Sequence, residues 1–191
     1  MAQPLDLSSY ARTVPLTIVY ETHSTTTDNE NGVATGWLHG ELSEAGRRQA
    51  RELGARRRND AIVAIYVSDL GRALETVAIA FTGSDIPVFV DARLRECDYG
   101  ELNGAPVHQL NGRRAGHVDV PWPGGESYRD VVARTQSLIL DVRTQWDGKR
   151  VLWVGHSANR WALQHIVQGQ DLAALVDADF AWLPGWEFMI S

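Results

Sequence analysis

Four short apolar runs, separated by segments of helix length, restrict the fold of this chain more than any other feature of its sequence. The runs are residues 16–20, 62–67, 87–90 and 151–154, and they are rich in β-branched and aromatic side chains. Continuous apolar runs of this length are typical of strands buried on both faces. Helices are predicted between and after them, at residues 45–58, 69–80, 128–146 and 158–167. The alternation predicts an α/β fold, a three-layer α/β/α sandwich with a mostly parallel central sheet.

The composition indicates one ordinary globular domain. The chain has 191 residues, of which 44% are hydrophobic and 22% charged, enough to bury one sizeable core. We therefore expect a single domain over residues 1–191, in which residues 1–14 are a polar lead-in. Residues 21–42 and 93–127 are rich in turn-forming side chains and are predicted to be loops, the second with a short helix near residues 106–114. The tail, residues 180–190, has strand character but is interrupted by Pro184 and Gly185.

Charge and cysteine content exclude some classes of protein. The net charge of -6 argues against a general nucleic-acid binder, and the arginines between positions 47 and 58 recur at helical spacing, which favours a solvated helix face over an anionic partner. Cys97 is the only cysteine, so an intrachain disulfide is excluded and a reducing compartment is indicated. No apolar run approaches the roughly 20 residues of a membrane span. We expect a soluble, cytoplasmic protein with no nucleic-acid or membrane partner. A homodimer is compatible with the sequence.

Reactive side chains follow the predicted strands at the points where the strands end. His23 comes just after the first strand and His156 just after the fourth, while Arg72 falls in the first turn of the helix after the second strand and Glu96 lies beyond the third. Ligands of open α/β sheets collect at the carboxyl ends of the strands. We therefore expect these four side chains to converge on one edge of the sheet.

Two imidazoles, a guanidinium and a carboxyl group suit phosphate chemistry. Neutral imidazole is a good nucleophile toward phosphorus, arginine matches phosphate oxygens in a bidentate way, and a glutamic acid can protonate a leaving alkoxide. A zinc site is the rival interpretation. It ranks lower because the two histidines lack close ligand spacing such as His-x-x-x-His.

A series of ordered motifs in the chain resembles those of the histidine phosphatase (phosphoglycerate-mutase-like) superfamily. The matching segments are Thr22-His23-Ser24 with Asn29, residues 68–76, residues 93–100, Pro123-Gly124-Gly125-Glu126-Ser127 and Gly155-His156-Ser157. They run in the family's order from about residue 16 to residue 167. The resemblance is therefore far more specific than any single motif, and it implies a phosphoglycerate-mutase-like sandwich.

The resemblance also implies roles for individual residues. It implies a phosphohistidine at His23, phosphate binding by Arg72 and His156, and proton donation by Glu96, without a metal or an organic cofactor. Further substrate-binding positions are expected at Thr22, Ser24, Asn29, Ser157 and Arg160. Asn29 and the two glycines at positions 124 and 125 have an equally simple interpretation as turn formers.

The first motif departs from the family pattern, because Thr22 stands where the family has arginine and Ser24 where it has glycine. The change removes one phosphate clamp. Arg160 lies four residues after His156, near the start of a helix whose N-terminal amides favour anions, and it is a candidate replacement. An ordinary arginine on the helix surface is the competing interpretation.

The predicted function is a phosphomonoesterase that hydrolyses a small phosphorylated metabolite through a phosphohistidine. A phosphoglycerate-type mutase is one alternative, and the modest length of residues 101–121 favours hydrolysis over it. A non-catalytic member that binds a phosphorylated ligand is the second alternative, which the loss of the arginine at position 22 makes conceivable. Trp37 and Trp122 lie in the predicted loops, where either contact with the substrate or plain loop packing would account for them.

Overall fold

The computed structural model describes residues 14–178 and 184–191 of the chain, so the predicted polar lead-in lies outside the described residues except for Val14. The strands in the described part are β1 (Leu16–Thr22), β2 (Val33–Ala34), β3 (Ala64–Val67), β4 (Val88–Val90), β5 (Ala105–Pro106), β6 (Arg150–Gly155) and β7 (Trp186–Ile190). The α-helices are α1 (Thr27–Glu30), α2 (Glu44–Arg57), α3 (Gly71–Ala80), α4 (Tyr128–Trp146), α5 (Ser157–Gln168) and α6 (Leu172–Asp177).

The main sheet has five strands in the order β4-β3-β6-β1-β7. The first four strands of this order pair in parallel, and β7 pairs antiparallel with β1 at one edge. The α/β fold with a mostly parallel central sheet is therefore confirmed. Thr22 pairs with Gly155 at the ends of β1 and β6, and the His23 amide donates to the Gly155 carbonyl at 2.9 Å. The parallel pairing of β1 with β6 therefore places His23, directly after β1, beside His156, directly after β6.

Helices cover both faces of the sheet. On one face, α3 packs its buried Ala73 and Val77 against β-strand side chains such as Val19 and Val154. On the other face, α4 and α5 contribute apolar side chains, including Leu138 of α4, to a cluster with the opposite side chains of the same strands. Successive side chains of each central strand therefore point to opposite faces of the sheet and pack into two separate cores, so these strands are apolar throughout.

A buried carboxylate ties α2 to the central strand β1. Glu21 is only 2% exposed, and its two oxygens accept from Arg56 and Arg57 at 2.8 Å. Arg57 also donates to Asp60 and to the carbonyl of Pro184, just before β7. The arginines of this helix therefore serve in part as structural partners of the sheet, where the sequence alone predicted a solvated face.

The connecting segments contain more structure than the sequence predicted. The predicted loop at residues 21–42 includes α1, because the Thr26 hydroxyl accepts from the Asn29 amide and caps one helical turn, and it includes β2, which pairs with β5. The short helix predicted near residues 106–114 is instead two 3-10 turns, Val107–Gln109 and Arg114–His117. Gly112 separates them with a φ of 70°, a left-handed conformation that interrupts a helix.

The end of the chain also differs in detail from its prediction. The tail forms β7, and Pro184 and Gly185 lie before this strand and do not interrupt it. Residues 180–183 of the predicted tail lie outside the described residues. Helix α6 was not predicted; its start is capped by Asp171, whose carboxylate accepts from the Ala174 amide at 3.0 Å. None of the helices in the described ranges combines the length and apolar character needed to span a bilayer.

Candidate active site

A cavity of about 660 Å³ opens at the carboxyl ends of the parallel strands. Its floor includes Thr22 and His23 after β1, Arg72 at the start of α3, Glu96 after β4 and Ser157 at the start of α5. His156, directly before Ser157, is 1% exposed beneath this floor. The structure therefore brings together the four side chains that were expected to converge on one edge of the sheet.

The His23 imidazole is fixed in one orientation by hydrogen bonds at both ring nitrogens. Nδ1 lies 2.8 Å from the Ser24 carbonyl, an acceptor, so this nitrogen carries the proton. Nε2 therefore has a free lone pair, toward which the Arg72 Nε–H points at 3.3 Å. Burial and the adjacent Arg72 charge lower the pKa of His23 from 6.5 to about 3. His23 is thus a neutral imidazole whose Nε2 can act as a nucleophile.

Arg72 is the central cation of the site and is 2% exposed. Besides His23 it donates from Nη2 to the Gly36 carbonyl at 2.8 Å, from Nη1 to the Leu38 carbonyl at 3.2 Å, and from Nη2 to His156 Nδ1 at 3.3 Å. Gly36 has a φ of 54°, and a Cβ at this position would collide with the Asn103 side chain. The loop that supports Arg72 therefore requires glycine at this position.

The second histidine, His156, lies beside His23, and the centroids of the two imidazole rings are 4.9 Å apart. Its Nδ1 accepts from Arg72, so the proton lies on Nε2, which is 3.0 Å from the Ser68 hydroxyl. Burial, followed by the charge of Arg72, lowers the pKa of His156 well below its usual value. The Tyr20 hydroxyl donates to the His156 carbonyl at 2.6 Å and fixes the backbone at the start of α5.

Glu96 approaches the same floor from the segment after β4. Its Oε1 accepts from its neighbour's amide, that of Cys97, at 2.8 Å and from the Ala158 amide at 3.2 Å, in the first turn of α5. Burial raises the pKa of Glu96, although these amides and the Arg72 charge oppose the rise. A carboxyl group with a raised pKa keeps its proton to higher pH, as a proton donor requires.

Of the five further positions expected to bind substrate, three line the cavity and two do not. Thr22, Asn29 and Ser157 line the cavity, and Asn29 Oδ1 also accepts from the Thr26 amide in the cap of α1. Ser24 is 6% exposed and does not line it; its amide donates to the Thr76 hydroxyl at 3.0 Å.

Arg160, the candidate replacement clamp, is not part of the cavity lining either. Its guanidinium lies 4.8 Å from the ring centroid of Trp186 on β7 and 5.8 Å from that of Trp161. Burial lowers the pKa of Arg160, and the carboxylate of Glu96 partly opposes this change. The side chain is therefore packed between α5 and the edge of the sheet.

Several cavity residues were not singled out in the sequence. They include Gln49, Tyr99, Asn111, Arg114, Trp161 and Asp177. Arg114 begins the second 3-10 turn, Asn111 lies between the two turns, and Asp177 ends the unpredicted α6, so no sequence signal placed them near the histidines. In residues 14–178 and 184–191, no group of three His, Cys, Asp or Glu side chains is arranged to hold a metal ion.

Comparison with known proteins finds one family and relatives of the same architecture. The sequence model of the histidine phosphatase superfamily (branch 1) matches residues 22–181. A 2,3-bisphosphoglycerate-dependent phosphoglycerate mutase of Methylobacterium sp. (strain 4-46) is 31% identical over 167 residues, which cover 80% of this chain and 80% of the relative.

Two solved structures resemble the whole domain. YhfR of Bacillus stearothermophilus superposes with a TM-score of 0.77 at 29% identity, over 88% of each chain. A mycobacterial glucosyl-3-phosphoglycerate phosphatase superposes with a TM-score of 0.72 at 29% identity, over 84% of this chain and 85% of that chain. Because the family match extends over most of the sequence and includes both His23 and His156, this chain belongs to branch 1 of the histidine phosphatase superfamily.

Proposed function

We propose that the protein is a phosphomonoesterase that hydrolyses a small phosphorylated metabolite through a phosphohistidine at His23. The observation that carries the proposal is the His23 imidazole, neutral and protonated at Nδ1, whose Nε2 lone pair faces the guanidinium of Arg72. A nucleophile with a positive charge beside its reactive atom is the arrangement that phosphoryl transfer needs.

In the proposed reaction, the phosphate of the substrate takes the place of the histidine nitrogens as the acceptor of the Arg72 N–H groups. His23 Nε2 attacks phosphorus while the Glu96 carboxylic acid donates its proton to the leaving alkoxide. The resulting Glu96 carboxylate then accepts a proton from a water molecule as the water attacks the phosphohistidine, which releases inorganic phosphate and restores both groups. A bound dianion also favours protonation of the neighbouring His156, whose Nδ1 can then donate to a phosphate oxygen.

Two alternatives use the same geometry. A mutase would return the phosphoryl group to an organic acceptor; the relatives' names include both mutases and phosphatases, and the short segment at residues 101–121 favours hydrolysis. A non-catalytic binding protein would have no need for a neutral nucleophile beside a carboxyl group of raised pKa.

The proposed enzyme acts in the cytoplasm, which suits a chain whose only cysteine is a buried thiol.

Arg114 supports a finer proposal about the substrate, namely that its organic part carries a second anionic group. Arg114 lines the cavity, and its Nη1 donates to Asn111 Oδ1 at 2.9 Å. Its Nε is buried and lacks a hydrogen-bond partner within the described ranges. Because Nε is inaccessible, a ligand would meet this guanidinium at its terminal nitrogens, whose positive charge a second anionic group would match. Asp177, which also lines the cavity, would accept from hydroxyl groups on the same ligand.

The phosphohistidine is tested by trapping it. Rapid quenching with a labelled phosphomonoester is expected to yield an acid-labile, base-stable phosphoryl-enzyme that is absent from His23→Ala. His39→Ala, which changes an exposed histidine outside the cavity, should keep the label. Label persisting in His23→Ala would disprove the assignment, and transfer of the label to an added organic hydroxyl compound would favour the mutase.

The role of Glu96 is tested by its dependence on the leaving group. In Glu96→Gln, kcat for alkyl phosphates should fall about 10²- to 10⁴-fold, whereas nitrophenyl phosphate, whose leaving group needs little protonation, should lose much less. Because burial raises the pKa of Glu96, wild-type turnover of alkyl phosphates should fall as the pH rises through that pKa, and the variant should lack this limb. The exposed neighbour variant Glu101→Gln is the control; equal losses on both substrates would exclude the acid role.

The missing arginine at position 22 leaves Arg72 as the main phosphate ligand. A charge-assisted hydrogen bond contributes about 1.5–3 kcal/mol, so Arg72→Gln should lose at least one to two decades in kcat/KM. Arg160→Gln, which removes a cation packed against Trp186, should retain kcat/KM within about twofold. A loss in Arg160→Gln that matches that of Arg72→Gln would make Arg160 the replacement clamp.

The second anionic group is tested with paired substrates. Arg114→Gln should lower kcat/KM about tenfold for a phosphomonoester that carries a carboxylate, and leave phenyl phosphate unchanged. Arg113→Gln removes the exposed arginine next to it, whose guanidinium lies over Trp122, and should affect neither substrate. A uniform loss in Arg114→Gln across both substrates would contradict the proposed contact.

A further inference from the structure

Trp37 lies between the two carbonyls that hold the phosphate-binding arginine. Arg72 donates from Nη2 to the Gly36 carbonyl at 2.8 Å and from Nη1 to the Leu38 carbonyl at 3.2 Å. The position of the Arg72 guanidinium therefore depends on the backbone on either side of Trp37. Trp37 itself does not line the cavity, so contact with the substrate does not account for it.

The indole of Trp37 reaches the other functional element of the site. Its Nε1–H donates to the backbone carbonyl of Glu96 at 2.7 Å. The same carbonyl accepts from Arg134 Nη2 at 3.0 Å, and Arg134 also binds both oxygens of Glu126. The backbone of Glu96 is therefore held from one side by α4 and from the other side by the loop that supports Arg72.

Further contacts fix the orientation of the Trp37 ring. The Arg95 guanidinium lies 4.5 Å from the ring centroid, and two bonds of 2.8 and 2.6 Å attach Arg95 to Asp69, three residues before Arg72. The Trp37 amide donates to Asn103 Oδ1 at 3.3 Å, in the segment that follows Glu96. The indole is thus clamped between the sequence segment of the arginine and that of the carboxyl group.

We propose that Trp37 is a positioning residue that holds the carboxyl group of Glu96 in register with the phosphate clamp Arg72. The inference rests on the proposed function, in which Glu96 protonates a leaving group attached to the phosphorus that Arg72 binds. Proton transfer requires the donor to stay within hydrogen-bond reach of the leaving oxygen, and displacements of about 1 Å in such constellations cost large factors in rate. The Ala158 amide also holds the Glu96 carboxylate, so loss of the indole bond should weaken the donor without abolishing it.

Trp37→Phe isolates the hydrogen bond, because it removes the N–H donor and keeps an aromatic ring for Arg95. One neutral hydrogen bond contributes about 0.5–1.5 kcal/mol, so kcat for an alkyl phosphate should fall about three- to tenfold. For nitrophenyl phosphate, kcat should change by less than about twofold, since its leaving group needs little protonation. Inhibition by inorganic phosphate should stay unchanged, because the Gly36 and Leu38 carbonyls and the ring remain.

Trp37→Ala extends the test to the clamp. Without the ring, the loop loses its contact with Arg95, so the inhibition constant for inorganic phosphate should rise about threefold or more. The selective fall in kcat for alkyl phosphates should also remain. Trp146→Phe is the matched control. It removes an indole hydrogen bond of similar length, 3.0 Å from Nε1 to the Tyr66 hydroxyl. Trp146 is the last residue of α4 and does not line the cavity. Trp146→Phe should keep the ratio of alkyl to nitrophenyl rates.

A double variant separates action through Glu96 from a general structural role. Placed in the Glu96→Gln background, Trp37→Phe should add no further loss for alkyl phosphates. An unchanged ratio of alkyl to nitrophenyl rates in Trp37→Phe, equal losses on both substrates, or an additive loss in the double variant would each overturn the proposal. If Glu96→Gln alone leaves the ratio unchanged, the general-acid role has failed, and the proposal fails with it for that reason and not through the Trp37 contact.

Discussion

The guanidinium of Arg72 is the interaction on which the arrangement of this site depends. This one buried cation donates to both imidazoles and to two carbonyls of the loop after β2. The two histidine rings, this loop and the start of α3 are therefore held in one hydrogen-bonded unit. Burial lowers the pKa of both histidines, and the Arg72 charge lowers it further, because protonation of either ring would place a second positive charge a few ångströms away. Arg72 thus contributes to both the position and the protonation state of the proposed nucleophile His23, while the Ser24 carbonyl sets its tautomer.

Much of the fold could be predicted from the sequence, because the central strands are continuous apolar runs and helix-forming segments separate them. Helix α4 begins and ends at the predicted residues, Tyr128 and Trp146, and the ends of β1 and β6 place His23 and His156 side by side as the alternation indicates. The convergence of the four candidate side chains followed from their positions at the strand ends. Sequence reasoning is strong here because the side-chain period and the alternation of strands and helices along the chain are local properties.

The remaining parts of the site depend on contacts between segments that are distant in sequence. The wall that carries Asn111 and Arg114 forms from 3-10 turns whose geometry follows from Gly112 and from packing against α6, neither of which leaves a periodic signal. Arg160 was a reasonable candidate clamp from its spacing to His156, but its guanidinium packs against Trp186, a residue on β7 that no short-range pattern connects with α5. Trp37 had two competing interpretations in the sequence, and its position outside the cavity lining, together with its bond to the Glu96 carbonyl, distinguishes them.

The backbone hydrogen bond from the His23 amide to the Gly155 carbonyl has a consequence for how such a site can change over evolutionary time. It makes His23, the proposed nucleophile, an extension of the sheet, so its backbone inherits the rigidity of a parallel ladder with a buried face on either side. The segment that forms the outer wall is anchored through a different apolar cluster, in which Leu110 and Trp122 pack with side chains of α4, α5 and α6. Insertions and substitutions in that wall can therefore alter which molecule is accepted while the backbone of His23 stays in place, which separates the choice of substrate from the position of the proposed nucleophile within a single small domain.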